Sequence, residues 1–224
     1  MLLQIPSVLS QDKLTVIRAI LAKSNFVDGK LSAGMAAERV KNNEELAADA
    51  KELQQLNNLV MGSLVQHPVY QSATLPIKIA SPFYARYRPG MTYGDHVDDP
   101  VMGPPQARYR SDVSTTVFLN EPSNYEGGEL VIRTPFGDQK IKLPAGHAVV
   151  YPSSSLHHVA EVTDGERLVA VTWAQSMVRD AARRELLYEL NQARESLLKQ
   201  RPEDAETKQV DVAYVNLIRM WAET

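Results

Sequence analysis

The spacing of apolar residues changes twice along the chain. Up to about residue 75 the pattern is helical. Ser10 can cap a helix with Asp12 in its first turn and Leu14, Ile17 and Leu21 on one face. Past the turn signal Asp28-Gly29, a long helical region is expected from Met35 onward, with Leu46, Leu53, Leu56, Val60 and Leu64 forming its stripe. Pro68 and the run Gln71 to Pro76 should close this section. From Pro76 to Ala174 short β-rich runs alternate with Gly, Pro, Asn and Asp. Nine strands are expected: 77–80, 83–88, 93–97, 113–119, 129–132, 139–143, 147–151, 156–162 and 167–174. Beyond Trp173 the helical period returns. Leu186, Leu190, Ala193 and Leu197 form one stripe, Pro202 breaks it, and Val210, Tyr214, Leu217, Ile218 and Trp221 form a second.

So many short strands with no helix between them suggest a sandwich or barrel, and the jelly roll, or double-stranded β-helix, leaves an open-mouthed interior. The expected fold is a mainly β core with flanking helices. It divides into a helical N-terminal section (1–75), a jelly-roll core (76–177) and a C-terminal helical extension (178–224). Asp98 to Arg110, with prolines at 100, 104 and 105, reads as a long loop at the mouth of the core. The extension either buttresses the core or pairs two subunits through its apolar residues.

Composition narrows the chemistry. The 224 residues are 44% apolar, enough for one good core. The net charge of -3 comes from interspersed signs, which disfavours nucleic acid and anionic membrane as partners. Cys is absent, so disulfides, thiolate catalysis and Cys-ligated zinc are excluded, and a metal would need His, Asp or Glu. No apolar run is long enough to span a bilayer, and the first residues lack a basic n-region, so a cytoplasmic enzyme is expected.

On an extended strand, His96 and Asp98 share one face, while Asp95, Val97 and Asp99 share the other. One further His would complete the two-His, one-carboxylate triad that leaves adjacent positions open on Fe(II). His157 is the candidate, within Tyr151-Pro-Ser-Ser-Ser-Leu-His157. Its neighbour His158 should face the opposite side. The turn signal Thr163-Asp164-Gly165 suggests a β-hairpin that sets Glu161 opposite Arg167 and His157 opposite Val171, so that Arg167 faces the same interior as His157. An always-charged planar fork suits a terminal carboxylate. A dicarboxylic keto acid, 2-oxoglutarate, could then reach from the metal to Arg167. Tyr93 serves either packing or the pocket, and Asp112, Ser114 and Thr116 alternate onto one face.

Three stretches together resemble the Fe(II)/2-oxoglutarate dioxygenases of the prolyl 4-hydroxylase type, and in particular the bacterial PKHD-type hydroxylases associated with iron uptake. These are Arg86 to Asp98, Thr116 to Leu130 with its Gly127-Gly128-Glu129-Leu130, and Tyr151 to His157 with Arg167 ten residues on. The resemblance covers nearly the whole chain. It implies His96, Asp98 and His157 as iron ligands, Arg167 as the 2-oxoglutarate anchor, and Tyr87 as a lining residue of the co-substrate pocket. It also implies dioxygen as co-substrate, L-ascorbate as a reductant of the iron, and hydroxylation coupled to decarboxylation of 2-oxoglutarate to succinate. The prime substrate is left between prolyl or lysyl side chains and a molecule of iron uptake. Some relatives carry Tyr where Phe118 stands, which leaves the second donor to the co-substrate carboxylate unassigned.

Two other classes compete. A zinc hydrolase would need a positioned Glu base and has no use for Arg167. A non-catalytic jelly-roll binding module would need no complete triad.

Overall fold

The computed structural model describes residues 1–223. Its first strand β1 (Leu3–Ile5) is followed by α1 (Gln11–Leu21), where the Ser10 side chain accepts from Lys13 N and Leu14, Ile17 and Leu21 are buried, as their spacing requires. The stretch from Met35 departs from the expected helix. After β2 (Phe26–Asp28), a 3-10 turn (Gly29–Ser32) and the single turn α2 (Met35–Glu38) precede two short strands, β3 (Lys41–Asn42) and β4 (Glu44–Leu46). Leu46 therefore belongs to a strand opposite Phe26 and not to a helical stripe. The stripe is real from Leu53 onward, where α3 (Leu53–Leu64) buries Leu56, Val60 and Leu64. Pro68 opens a further helix, α4 (Pro68–Thr74), because the first helical turn needs no N–H from it. Leu75, at φ 43°, ends that helix.

The core strands follow in order: β5 (Pro76–Ile79), β6 (Phe83–Tyr87), β7 (Thr92–His96), β8 (Val101–Met102), β9 (Tyr109–Arg110) and β10 (Val113–Phe118). Then come β11 (Tyr125–Gly127), β12 (Leu130–Thr134), β13 (Gly137–Ile141), β14 (Ala148–Pro152), β15 (His157–Val159), β16 (Val162–Gly165) and β17 (Arg167–Ser176). The main sheet runs β1-β14-β10-β17-β6-β4-β2, with β5 also on β17. A second sheet runs β13-β12-β15-β7-β3, and two strand pairs, β11-β16 and β8-β9, stand apart. Asp98 to Arg110 is the expected loop, pinned at its base by the short pair β8-β9.

Period-2 alternation sorts the side chains of the main sheet. Tyr84, Val117, Val150 and Ala170 pack outward against α1, α3 and α4. Ala85, Tyr87, Phe118, Val149, Tyr151 and Val169 point inward, against Leu130, Ile132 and Val159 of the second sheet. The section before residue 75 supplies four of these strands, so it is not purely helical. Its β3 and β4 extend the two sheets side by side and close one flank of the barrel.

The C-terminal helices α5 (Ala181–Gln200) and α6 (Ala205–Trp221) form a hairpin. On α5 the buried residues are Arg184, Leu187 and Asn191, a face rotated from the expected Leu186 stripe, and Leu186 itself is 51% exposed. Arg184 sets this rotation: its guanidinium donates to the carbonyls of Val178 and Arg179 at 2.7 Å. Among the described residues no helix is long and apolar enough to cross a membrane.

Candidate metal centre and anion pocket

His96 on β7 and His157 on β15 are cross-strand partners in the second sheet. Partners across a strand pair share a face, so both imidazoles enter the barrel. Their ring centroids are 4.2 Å apart. Asp98, two residues past the end of β7, keeps the face of His96. One donor atom from each of the three lies within 4.8 Å of the others. All three side chains are largely buried, at 9%, 8% and 4% exposure for His96, Asp98 and His157.

Each of these side chains has its second polar atom engaged. His96 Nδ1 bonds the carbonyl of Gly94 at 2.8 Å, and His157 Nδ1 bonds that of Ser155 at 2.9 Å. A carbonyl only accepts, so each Nδ1 carries the proton and each Nε2 presents a lone pair. Ser114 Oγ donates to Asp98 Oδ2 and sits 2.8 Å from Ser153 Oγ. That leaves Asp98 Oδ1 facing the two Nε2 atoms, at 3.9 and 3.8 Å. Burial and the neighbouring His157 push the His96 pKa down to about 4, so its ring is neutral at pH 7. Two nitrogen donors and one carboxylate oxygen make a set that fits Fe(II).

The face argument for the adjacent histidines holds. His158 turns to the outer surface, where its Nδ1 lies 2.9 Å from Asp95 Oδ1 and Arg133 holds the other Asp95 oxygen at 2.6 Å. The irregularity in this strand pair sits on β7, where residues 93 to 96 span only 157 to 159 opposite. This extra residue brings Tyr93 inward as well, stacked on His96 at 3.7 Å between centroids. Gly94 permits it, since a Cβ there would lie 2.9 Å from Cβ of Val40.

Arg167 reaches the same interior, but not by the expected hairpin. β17 pairs with β10 and β6, so Arg167 stands opposite Tyr87, while His157 stands opposite His96 and Ile132 in the other sheet. The expected turn at Thr163 to Gly165 is not there: these residues lie in β16, which pairs with β11. Arg167 and His157 therefore face each other across the barrel. Arg167 is 1% exposed, and its guanidinium lies 4.9 Å from the Tyr87 ring and 5.7 Å from that of Phe118. Its Nε and Nη1 are buried without a hydrogen-bond partner. A buried cation in that condition costs several kcal/mol unless an anion meets it, at roughly the scale of a broken buried ion pair. The arrangement fits a carboxylate ligand.

One cavity of about 680 Å³ joins these groups and is lined by His96, Asp98, His157, Arg167 and Tyr87. Burial raises the Tyr87 hydroxyl to about 12, with Arg167 partly offsetting it, so it remains a neutral donor. Other lining residues carried no usable signal as a set. Tyr151, with its hydroxyl raised well above the ordinary range by burial, and Thr116 line the stretch between the two ends. Lys41, Asn43 and Glu45 alternate inward from the segment misread as helix, with Lys41 Nζ 2.5 Å from Glu45. Trp173, Phe83 and Tyr109 line the cavity as well. Of the alternating trio, Ser114 holds Asp98 and Thr116 lines the cavity, while Asp112 is taken by Arg110 and the N–H of Ser176.

Residues 82–175 match the model of the 2OG-Fe(II) oxygenase superfamily, and residues 180–223 match that of the PKHD-type hydroxylase C-terminal domain. A PKHD-type hydroxylase of Thioalkalivibrio sulfidiphilus (strain HL-EbGR7) is 56% identical over 223 residues, which cover both chains completely. Among solved structures, a prolyl hydroxylase of Trichoplax adhaerens, in complex with a hypoxia inducible factor oxygen degradation domain peptide fragment, aligns with a TM-score of 0.57 and 16% identity. That match covers 78% of this chain and 83% of the other. HygX of Streptomyces hygroscopicus, with nickel, 2-oxoglutarate and hygromycin B bound, aligns with a TM-score of 0.54 and 13% identity, covering 78% and 82%. At these identities the two structures establish the fold alone.

Proposed function

Because the chain belongs to the PKHD-type hydroxylases of the 2OG-Fe(II) oxygenase superfamily, it is an Fe(II)- and 2-oxoglutarate-dependent hydroxylase, and we propose that His96, Asp98 and His157 hold its iron while Arg167 and Tyr87 hold its co-substrate. The observation that carries this reading is the pairing, within one cavity, of three converging donor atoms with a buried guanidinium whose N–H groups lack acceptors. The overall reaction takes 2-oxoglutarate, dioxygen and a C–H substrate to succinate, carbon dioxide and the hydroxylated product. Iron bound at this site supplies the redox chemistry that activates dioxygen for both oxidations.

The protein's own contribution is orientation and exclusion of water. Nε2 of His96, Nε2 of His157 and Oδ1 of Asp98 are each aimed by the bond on the far side of their group, so little reorganisation accompanies metal binding. Arg167 neutralises the distal carboxylate of the keto acid, and the protonated Tyr87 hydroxyl can donate to it. The buried walls around Tyr151 and Val159 keep bulk water from the reacting atoms. Ascorbate would serve to re-reduce iron after turnover that misses its substrate.

The hydroxyl acceptor on this reading is a prolyl or lysyl side chain or a molecule of iron uptake. One fold relative is crystallised with a peptide and the other with hygromycin B, so the fold is compatible with either. We place the enzyme in the cytoplasm. We divide it into an N-terminal section (1–75), a catalytic core (76–177) and a buttressing extension (178–224). The alternative is that exposed apolar residues of that extension, Leu186, Val212 and Met220 among them, pair two subunits. Purified protein with Fe(II), 2-oxoglutarate and oxygen is expected to release succinate slowly, and faster with a cell extract containing the substrate. Turnover of a hydrolysable substrate with zinc alone, and no succinate with iron, would contradict the proposal.

A further inference from the structure

Three of the buried side-chain atoms that lack a hydrogen-bond partner belong to two neighbouring residues: Nε and Nη1 of Arg167 and the hydroxyl of Tyr125. Gly128 shows how close they are. A Cβ built on it would lie 3.1 Å from Cδ of Arg167 and 3.1 Å from Cε2 of Tyr125. Gly127 and Gly128 both adopt left-handed φ, at 69° and 67°, and the register between β11 and β16 slips between Glu126 and Gly127. A side chain at either position would strain that backbone, and one at Gly128 would also crowd Val162, Arg167 and Tyr125.

Tyr125 is 2% exposed and is not among the residues lining the cavity, so it stands behind the guanidinium and does not contact the bound acid. Its position is fixed from outside. Lys142 Nζ lies 4.1 Å over its ring and donates to its carbonyl at 2.7 Å. The other neighbours of Arg167, the rings of Tyr87 and Phe118, hold the guanidinium by their faces, and Phe118 offers no acceptor for an N–H. Faces restrain the plane of the fork but leave its rotation within that plane free. A hydrogen bond from the rear edge removes that freedom.

We propose that Tyr125 is the positioning residue for Arg167: its hydroxyl accepts an N–H from the rear of the guanidinium and fixes the angle at which the fork meets a distal carboxylate. The inference rests on the reading of Arg167 as the co-substrate anchor. It makes Tyr125 a determinant of selectivity for a keto acid with two carboxylates over one of equal length with a single carboxylate.

The test uses the full chain loaded with Mn(II), which binds without turnover, and calorimetric titration with 2-oxoglutarate and with 2-oxopentanoate. In Tyr125→Phe the dissociation constant for 2-oxoglutarate is expected to rise about tenfold, the scale of one hydrogen bond to a charged group. The constant for 2-oxopentanoate should stay put, and so should the unfolding temperature. An unchanged 2-oxoglutarate constant, or an equal loss for both acids, overturns the assignment. Arg167→Ala separates this from the underlying reading: if it leaves the wild-type preference for 2-oxoglutarate untouched, the anchor itself is misassigned.

Discussion

At the His96, Asp98 and His157 end of the cavity every donor has its other polar atom occupied, whereas at the Arg167 end a buried guanidinium has no anionic partner. The first end is oriented before any ligand arrives, and burial keeps the His96 ring neutral beside His157. The second holds a charge that the fold meets with aromatic rings and no carboxylate, which leaves an anion to complete it. A metal site needs several lone pairs converging within a few tenths of an ångström, so its geometry is fixed by neighbours. An anion pocket can leave its affinity unspent, because the ligand brings the missing charge.

The largest effect should come from breaking the oriented end. His157→Ala removes one of three donors and is expected to abolish tight metal binding. The loss should exceed the roughly 10- to 100-fold typical of removing an outer partner. His158→Ala should leave metal affinity nearly intact, because His158 faces Asp95 on the surface. Metal titration of the two variants checks both statements, and a reversed outcome would reassign the ligand.

Next comes the open end. Arg167→Ala should cost roughly 2 to 5 kcal/mol in 2-oxoglutarate affinity while metal affinity holds, and Arg167→Lys should fall between. An uncompensated buried cation also destabilises the protein without its ligand, so Arg167→Met should be neutral or stabilising when no 2-oxoglutarate is present. Thermal unfolding with and without the keto acid checks this. A large loss of stability in the ligand-free Met variant would mean that Arg167 is already satisfied.

A finer cut separates donor from orienting neighbour. Ser114→Ala frees Asp98 Oδ2 and should weaken metal binding by roughly 10- to 100-fold, with a small change in stability. Equal affinity in the variant would show that Asp98 needs no orienting partner.

A further effect, on stability and not on ligand affinity, is one of pH. The folded pKa of His96, about 4, lies below its ordinary 6.5. Between those values the unfolded chain binds the extra proton and the folded chain does not. Stability of the metal-free protein should therefore be fully present above pH 6.5 and fall as the pH drops through 4. Unfolding temperature measured against pH in the presence of a chelator reads this, and His96→Asn should flatten the slope.

The same contrast explains what could be read from the chain. His96, Asp98 and the outward His158 follow from alternation, because strand period decides faces without knowledge of partners. Partners are another matter. The run Thr163 to Gly165 reads as a turn but is strand, paired with β11, and β15 and β17 lie in different sheets, so they face each other across the barrel and never pair. The segment from Lys41 to Leu46 was misread because strands of two and three residues are too short to display a period, and Leu46 fell by accident at helical spacing from Leu53. Tyr125 had no pattern at all. Its place depends on a bulge and on two glycines whose left-handed backbone becomes meaningful only when Arg167 is beside them.

The most direct test of the paired ends is the visible spectrum of the anaerobic protein with Fe(II) on addition of 2-oxoglutarate. Chelation of the keto acid by iron gives a charge-transfer band. Wild type should develop it at low 2-oxoglutarate concentration, Arg167→Ala should need far more keto acid to reach it, and His157→Ala should not develop it. A band of the same strength and midpoint in all three proteins would contradict the assignment of both ends.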